Sequence, residues 1–278
     1  MDDLAALVAH WPVRRVALGV TDPDSILGLT GDLEWQTRIA SVGKLFVGYA
    51  ALVAIEEHSL ELDDPAGPDG STVRHVLAHA SGMGFDTFEP VTRVGARRVY
   101  SNAGIEYFAD YLAERTGFPI GQYLQEAVFD PLGMVQTEVR GSPAYEVWSS
   151  LDDLLAFSRE LLNPTLVTQA TLDDATRPHF PELSGVVPGM GRFDPNSWGL
   201  TFELKVGKPN HWTGRKTSPR TFGHFGGAGT YLWVDPDAGL ACVALTDREF
   251  DTWALDVWPA TNDHVIERYR TPQWQVPH

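Results

Sequence analysis

The hydrophobic pattern changes period along the chain, with strand-like alternation towards both ends and helical spacing in between. Residues 2–10 repeat apolar positions at helical spacing. Residues 14–29 read as two strands around Thr21-Asp22-Pro23-Asp24, a composition that marks a hairpin turn. Residues 34–40 predict a short strand or loop leading into an apolar helix over 41–57, and Asp63-Asp64-Pro65 then breaks the pattern. Helical spacing returns over 72–79, 102–116, 120–128 and 151–162, the last opened by Ser150 and Asp153 as a capping box. Residues 168–192 carry many Pro and Gly and predict irregular structure. Strand patterning resumes at 199–206, 221–224, 230–234 and 240–246, with Asp235-Pro236-Asp237-Ala238-Gly239 as the turn of the last hairpin. A helix over 252–269 follows.

Strands at either end are too few to be stable alone, so both ends are expected to share one sheet. This predicts an α/β (α+β) fold: an antiparallel sheet flanked by N- and C-terminal helices, with a mainly helical subdomain inserted. The expected division is residues 1–63 with 198–278 for the sheet domain and 64–197 for the helical subdomain, with the active site at the interface.

Composition narrows the function classes. The 278 residues carry a net charge of −16, which repels phosphate backbones and anionic lipid, so neither nucleic acid nor a membrane is an expected partner. No apolar stretch reaches the length of a membrane span. The acidic start Met1-Asp2-Asp3-Leu4 lacks the basic and apolar regions of a signal peptide, so with Met1 as the native start a cytoplasmic protein is expected. Cys242 is the single cysteine and lies within an apolar run, which predicts a buried, inert thiol. His75 and His79 stand four apart, but Val76 occupies the place of the Glu in H-E-x-x-H and no third ligand is evident. Helix packing is the reading for this pair, and neither a metal nor a cofactor is expected. Arg93, Arg97 and Arg98 predict a solvated loop face.

Three segments carry candidate chemistry. In the first, Lys44 is the only charge between Arg38 and Glu56, on a helix apolar on almost every face. It is therefore expected to be buried, which is costly for an ammonium. Ser41 lies three residues earlier on the same face, at the helix start, where N–H groups and the dipole favour negative charge. Such a serine becomes a nucleophile if a base takes its proton, and a lysine is that base only where its pKa is lowered. In the second segment, Arg97-Arg98-Val99-Tyr100-Ser101-Asn102 places a phenol at a loop-to-helix junction. A phenol held between cations can ionise and exchange protons, and Asn102 can donate to a substrate carbonyl or hold Lys44. In the third, His224-Phe225-Gly226-Gly227 ends a strand with glycines that allow close approach, and a free N–H there can complete an oxyanion hole.

Taken in chain order, Ser41-Val42-Gly43-Lys44, Tyr100-Ser101-Asn102 and His224-Phe225-Gly226 resemble the S-x-x-K, Y-x-N and K-T-G or H-x-G signatures of the serine β-lactamase and penicillin-binding-protein superfamily. They are most similar to its class C β-lactamase and esterase branch. Asp130-Pro131-Leu132-Gly133-Met134 and Ser149-Ser150-Leu151-Asp152-Asp153-Leu154 resemble further segments of that branch. The resemblance implies an acyl-Ser41 intermediate, with Lys44 and Tyr100 sharing base and acid duty. It implies Ser41 and Gly227 N–H groups as the oxyanion hole, and substrate contacts from Asn102, His224, Phe225 and Gly226. His224 and Phe225 replace the Lys and Thr that recognise a carboxylate in β-lactams, which shifts the expectation from lactam turnover towards a small ester or amide. A β-lactamase or D-amino-acid peptidase, and an inactive scaffold retaining the fold, stand as alternatives. The intact Ser41, Lys44 and Tyr100 argue against the last.

Overall fold

The computed structural model describes residues 3–270. Its centre is a six-stranded antiparallel sheet in the order β2 (Ile26–Thr30), β1 (Val16–Thr21), β12 (Leu240–Thr246), β11 (Thr230–Asp235), β10 (Phe222–Gly226) and β9 (Glu203–Leu204). The pairing of β1 with β12, from Val16↔Thr246 to Thr21↔Ala241, joins the two ends of the chain, as the patterning required. Along β12, Leu240, Cys242 and Ala244 face one apolar cluster while Ala241, Val243 and Leu245 face another. This period-2 division shows a sheet buried on both faces.

One face is covered by α1 (Asp3–Val8) and α8 (Thr252–Tyr269), whose Leu4, Trp253, Trp258 and Ile266 pack with Tyr231 and Trp233. The expected first residue of α1, Asp2, lies outside the described residues. The other face is covered by α2 (Lys44–Glu56) and α6 (Leu151–Leu162), the latter capped by Ser150, whose Oγ accepts from the Asp153 N–H. Between them the chain forms α3 (Val73–Leu77), α4 (Asn102–Thr116) and α5 (Ile120–Leu124), which continues into one wider helical turn to Phe129. Cys242 is fully buried in the sheet, as its apolar surroundings predicted.

Two small sheets tie the helical region to the rest. β3 (Thr37–Arg38), β6 (Val147–Ser149) and β5 (Glu138–Val139) form one, and β4 (Arg98–Val99), β7 (Gly185–Val187) and β8 (Gly191–Phe193) the other. The stretch expected to be irregular, 168–192, thus contains β7, the start of β8 and the helix α7 (Gln169–Ala175). β7 pairs antiparallel with β8 and in parallel with the distant β4, and the second contact is one that no local pattern announces. Likewise only Glu203–Leu204 of the strand expected over 199–206 pairs with β10.

The solvated face expected for Arg93, Arg97 and Arg98 holds for the first two. Arg98 is buried, and its guanidinium donates to the carbonyls of Asn196 (2.8 Å), His179 (2.8 Å), Phe180 (3.0 Å) and Ala78. A planar fork of donors suits converging loop carbonyls, so the charge is buried without a contacting carboxylate.

Candidate active site

Ser41 sits in a tight helical turn, Ala40–Gly43, that leads directly into α2. Ala40 before it is left-handed at φ 47°, a conformation that costs a non-glycine residue about 1 kcal/mol and is held here by burial. This bend presents Ser41 as the one partly exposed residue of a buried turn.

Lys44 is fully buried. Its Nζ donates to Asn102 Oδ1 (2.7 Å) and to the Ala144 carbonyl (2.7 Å) and lies 3.1 Å from Ser41 Oγ. The first two partners can only accept, so they fix two N–H directions. The third direction, towards Ser41, carries a proton in the ammonium and a lone pair in the amine. Desolvation lowers the Lys44 pKa from 10.5 to about 7, against the weaker pull of Glu106 and Asp86. The amine form, with its lone pair aimed at the serine hydroxyl, is therefore well populated at neutral pH.

Tyr100 is anchored on both sides. Val99 N–H donates to the His79 carbonyl (2.9 Å), and Asn102 N–H donates to the Phe85 carbonyl (2.7 Å). Ser101 caps α4 by accepting from the Gly104 N–H. The phenol is not held between cations as expected. Its ring lies 4.9 Å from Lys44 Nζ, and its other neighbours include the His79, Trp198, His224 and Phe85 rings at 4.7, 5.7, 5.6 and 5.9 Å. Burial raises its pKa well above the usual value, opposed only in part by its hydrogen bond with Ser41. The resting phenol is neutral.

His224 fixes where that phenol points its proton. His224 Nδ1 lies 2.6 Å from the Phe225 carbonyl, which can only accept, so Nδ1 carries the hydrogen. Burial, assisted by Lys44, lowers the His224 pKa to about 4, so near neutral pH Nε2 bears a lone pair. Tyr100 Oη, 3.3 Å away, is then the donor to Nε2 and is free to accept from Ser41.

The remaining expected site residues divide. Ser41, Tyr100, His224, Phe225 and Gly227 line one cavity of about 220 Å³, together with Phe85, Trp198 and Phe250. Asn102 does not line it. Its Oδ1 holds Lys44 and its Nδ2 donates to Asp86 (2.9 Å), so of the two expected roles the structure supports holding the lysine. Gly226 does not line it either. A Cβ there would lie 2.3 Å from the Ile39 carbonyl and 3.3 Å from Ala40 Cβ, so the glycine lets β10 close onto the turn that bears Ser41. Gly226 thus has a spacing role beside the substrate contact expected of it. Gly226→Ala should cost about 1–3 kcal/mol by overpacking. By displacing Ser41 it should also slow acylation about a hundredfold. Thermal unfolding and active-site labelling of the same sample check both.

Sequence reasoning missed His79, Phe85 and the Ala144 carbonyl, and it left open which of the C-terminal tryptophans lines the pocket, a place that Trp198 takes. Its spacing from His75 predicts helix packing for His79, yet α3 ends at Leu77 and His79 is left-handed at φ 55°, packed against Tyr100. Its Nδ1 accepts from the Ser101 N–H (3.3 Å). No signal marked the Ala144 carbonyl, because a backbone acceptor has no residue type. His75 instead accepts from Thr72 N–H (3.3 Å) at the start of α3 and stacks on Phe180. Among the described residues no three potential metal ligands lie together, and no helix is long and apolar enough to cross a membrane. A larger cleft of about 360 Å³ beside Arg177 and Arg220 contains none of the signature residues.

A strained turn presenting a serine to a buried lysine, with a phenol and a glycine-ended strand beside it, defines a serine acyl-transfer site. The chain matches the Beta-lactamase family over residues 16–263 and belongs to it. It is accordingly a serine hydrolase/acyltransferase of that family, with the β-lactamase-like α/β fold expected from its sequence. A β-lactamase from Mycobacterium bovis shares 46% identity, with a TM-score of 0.94 over 96% of this chain and 99% of that one. A β-lactamase from Pseudomonas fluorescens is 22% identical, with 88% of each chain covered. EstCE1, a hydrolase with promiscuous acyltransferase activity, shares the fold at a TM-score of 0.77 and 16% identity, over 93% of this chain and 96% of that one.

Proposed function

We propose that this protein cleaves a small ester or amide through an acyl-Ser41 intermediate. The observation that carries the reading is the Lys44 cage: an amine whose only uncommitted direction faces Ser41 Oγ at 3.1 Å. Lys44 takes the Ser41 proton as Oγ attacks the carbonyl carbon. The resulting oxyanion is met by the N–H groups of Ser41 and Gly227, each such donor contributing about 3–4 kcal/mol to the transition state. Gly227 is suited to this, since its N–H makes no backbone hydrogen bond among the described residues. As the tetrahedral intermediate collapses, Tyr100 gives its proton to the leaving group, while Lys44 keeps the proton it took from Ser41 and returns it to Oγ when the acyl-serine is cleaved. Water, or an acceptor alcohol, then attacks the acyl-serine by the reverse sequence.

The apolar cavity walls and the replacement of Lys and Thr by His224 and Phe225 favour esters and amides without a carboxylate next to the reacting carbonyl. A neutral His224 offers no cation there. The names of the Mycobacterium bovis and Pseudomonas fluorescens relatives favour lactam cleavage as a second reading.

A fluorophosphonate probe followed by mass spectrometry should label Ser41, and Ser41→Ala should abolish both the adduct and hydrolysis of nitrophenyl butanoate. No adduct on the wild-type protein would exclude both enzyme readings and leave a scaffold. Nitrocefin turnover exceeding that of the ester would favour the lactam reading.

A further inference from the structure

Tyr100 borders two cavities. Beside the one at Ser41 is a second compartment of about 240 Å³, and Phe85, Tyr100 and Pro188 line both. Its other walls include Arg97, Val99, Val186 and Arg192. The first compartment is apolar beyond its reacting groups, whereas the second carries two guanidinium groups at its rim.

These cations are available to a ligand. Arg97 is exposed and makes no ion pair or side-chain hydrogen bond among the described residues. Arg192 donates to Ser184 Oγ (2.7 Å) and lies 3.9 Å from Asp194, both side chains of that pair being more than 60% exposed (63% and 71%). An exposed pair of this kind contributes little and yields readily to a better partner. Arg98 also lines the compartment, but its donors are committed to backbone carbonyls. On a chain of net charge −16 the general surface repels anions, which makes two available guanidinium groups in a cleft selective.

We propose that this second compartment binds a carboxylate carried on the leaving group of the substrate, through Arg97 and Arg192. The proposal rests on the acyl-Ser41 reading. In that reading Tyr100 protonates the departing atom, which therefore sits at the boundary between the compartments. The rest of the leaving group extends past Tyr100 towards the arginines, and the acyl arm stays among Trp198, Phe225 and Phe250. The preferred substrate is an ester or amide of an apolar acid with an anionic alcohol or amine. Planar guanidinium groups meet a carboxylate with paired, charge-assisted hydrogen bonds.

The test compares 4-(butanoyloxy)benzoate with 4-(butanoyloxy)benzamide, which have the same acyl arm and differ in charge at the far end of the leaving group. Each kcat/KM is divided by the hydroxide-catalysed rate of that ester. The wild-type ratio should favour the benzoate about tenfold or more. It should fall towards one in Arg97→Met and Arg192→Met, and with added salt. Because both esters are measured on one preparation, partial unfolding cancels from the ratio. A wild-type ratio near one, or a ratio that neither substitution changes, overturns the proposal while Ser41 still turns over both esters. If instead neither ester is cleaved and Ser41 takes no label, the underlying reading fails and this one with it.

Discussion

Replacing Lys44 by Met should reduce kcat/KM for nitrophenyl butanoate about 10²–10⁴-fold, the span of a positioned general base, while leaving the fold in place. Methionine fits the apolar surroundings of α2 and removes the penalty of a buried ammonium. It also leaves Asn102 Oδ1 and the Ala144 carbonyl without their donor, at about 1–3 kcal/mol each. The two effects oppose, so thermal unfolding should move far less than activity. Lys44→Arg should not rescue the loss. A guanidinium stays protonated at any working pH and has no lone pair to aim at Ser41.

Tyr100→Phe should have an effect that depends on the leaving group. The phenol is neutral at rest, with its proton directed to His224 and its oxygen open to Ser41. Its proposed duty is to protonate what departs. An alkyl ester or anilide must leave with a proton, and its kcat should fall about 10²–10⁴-fold. Nitrophenolate leaves without one, so its acylation rate should drop by about tenfold or less, on the same reasoning about proton transfer. If Tyr100 were instead the ionised base that first activates Ser41, the variant would lose the nitrophenyl ester as severely as the anilide. Parallel kinetics on the three substrates separate these roles.

The parts of this site that were legible in the sequence are those where one residue type in one local pattern has few explanations. A lone Lys44 on an all-apolar helix announces its own burial, and a serine three residues earlier must share its face. The two-faced apolar runs of β11 and β12 announce a central sheet. Long-range closure set the rest. Tyr100 and Arg98 are two residues apart between the same loops, yet what surrounds them comes from segments about 20 to over 120 residues away, as in the Arg98–Ala78 and Tyr100–His224 contacts. Hence a phenol expected between cations lies among aromatic rings on one side of Lys44, and an arginine expected in solvent is buried. Asn102 and Gly226 carry the right residue types for substrate contact. Which neighbour claims them depends on angstrom-scale packing: Lys44 and Asp86 take both ends of the amide, and the Ile39 carbonyl fills the space a larger residue 226 would need.

If burial makes Lys44 the neutral-pH base for Ser41, the rate of Ser41 acylation must follow the titration of that amine. The amine is the active form, and its pKa is lowered from 10.5 to about 7, so the rate should rise through a single ionisation near 7 and then level off. In Lys44→Met that inflection should vanish. A wild-type rate that climbs without levelling as far as 10.5, or an inflection near 7 that survives in Lys44→Met, would rule out Lys44 as that base.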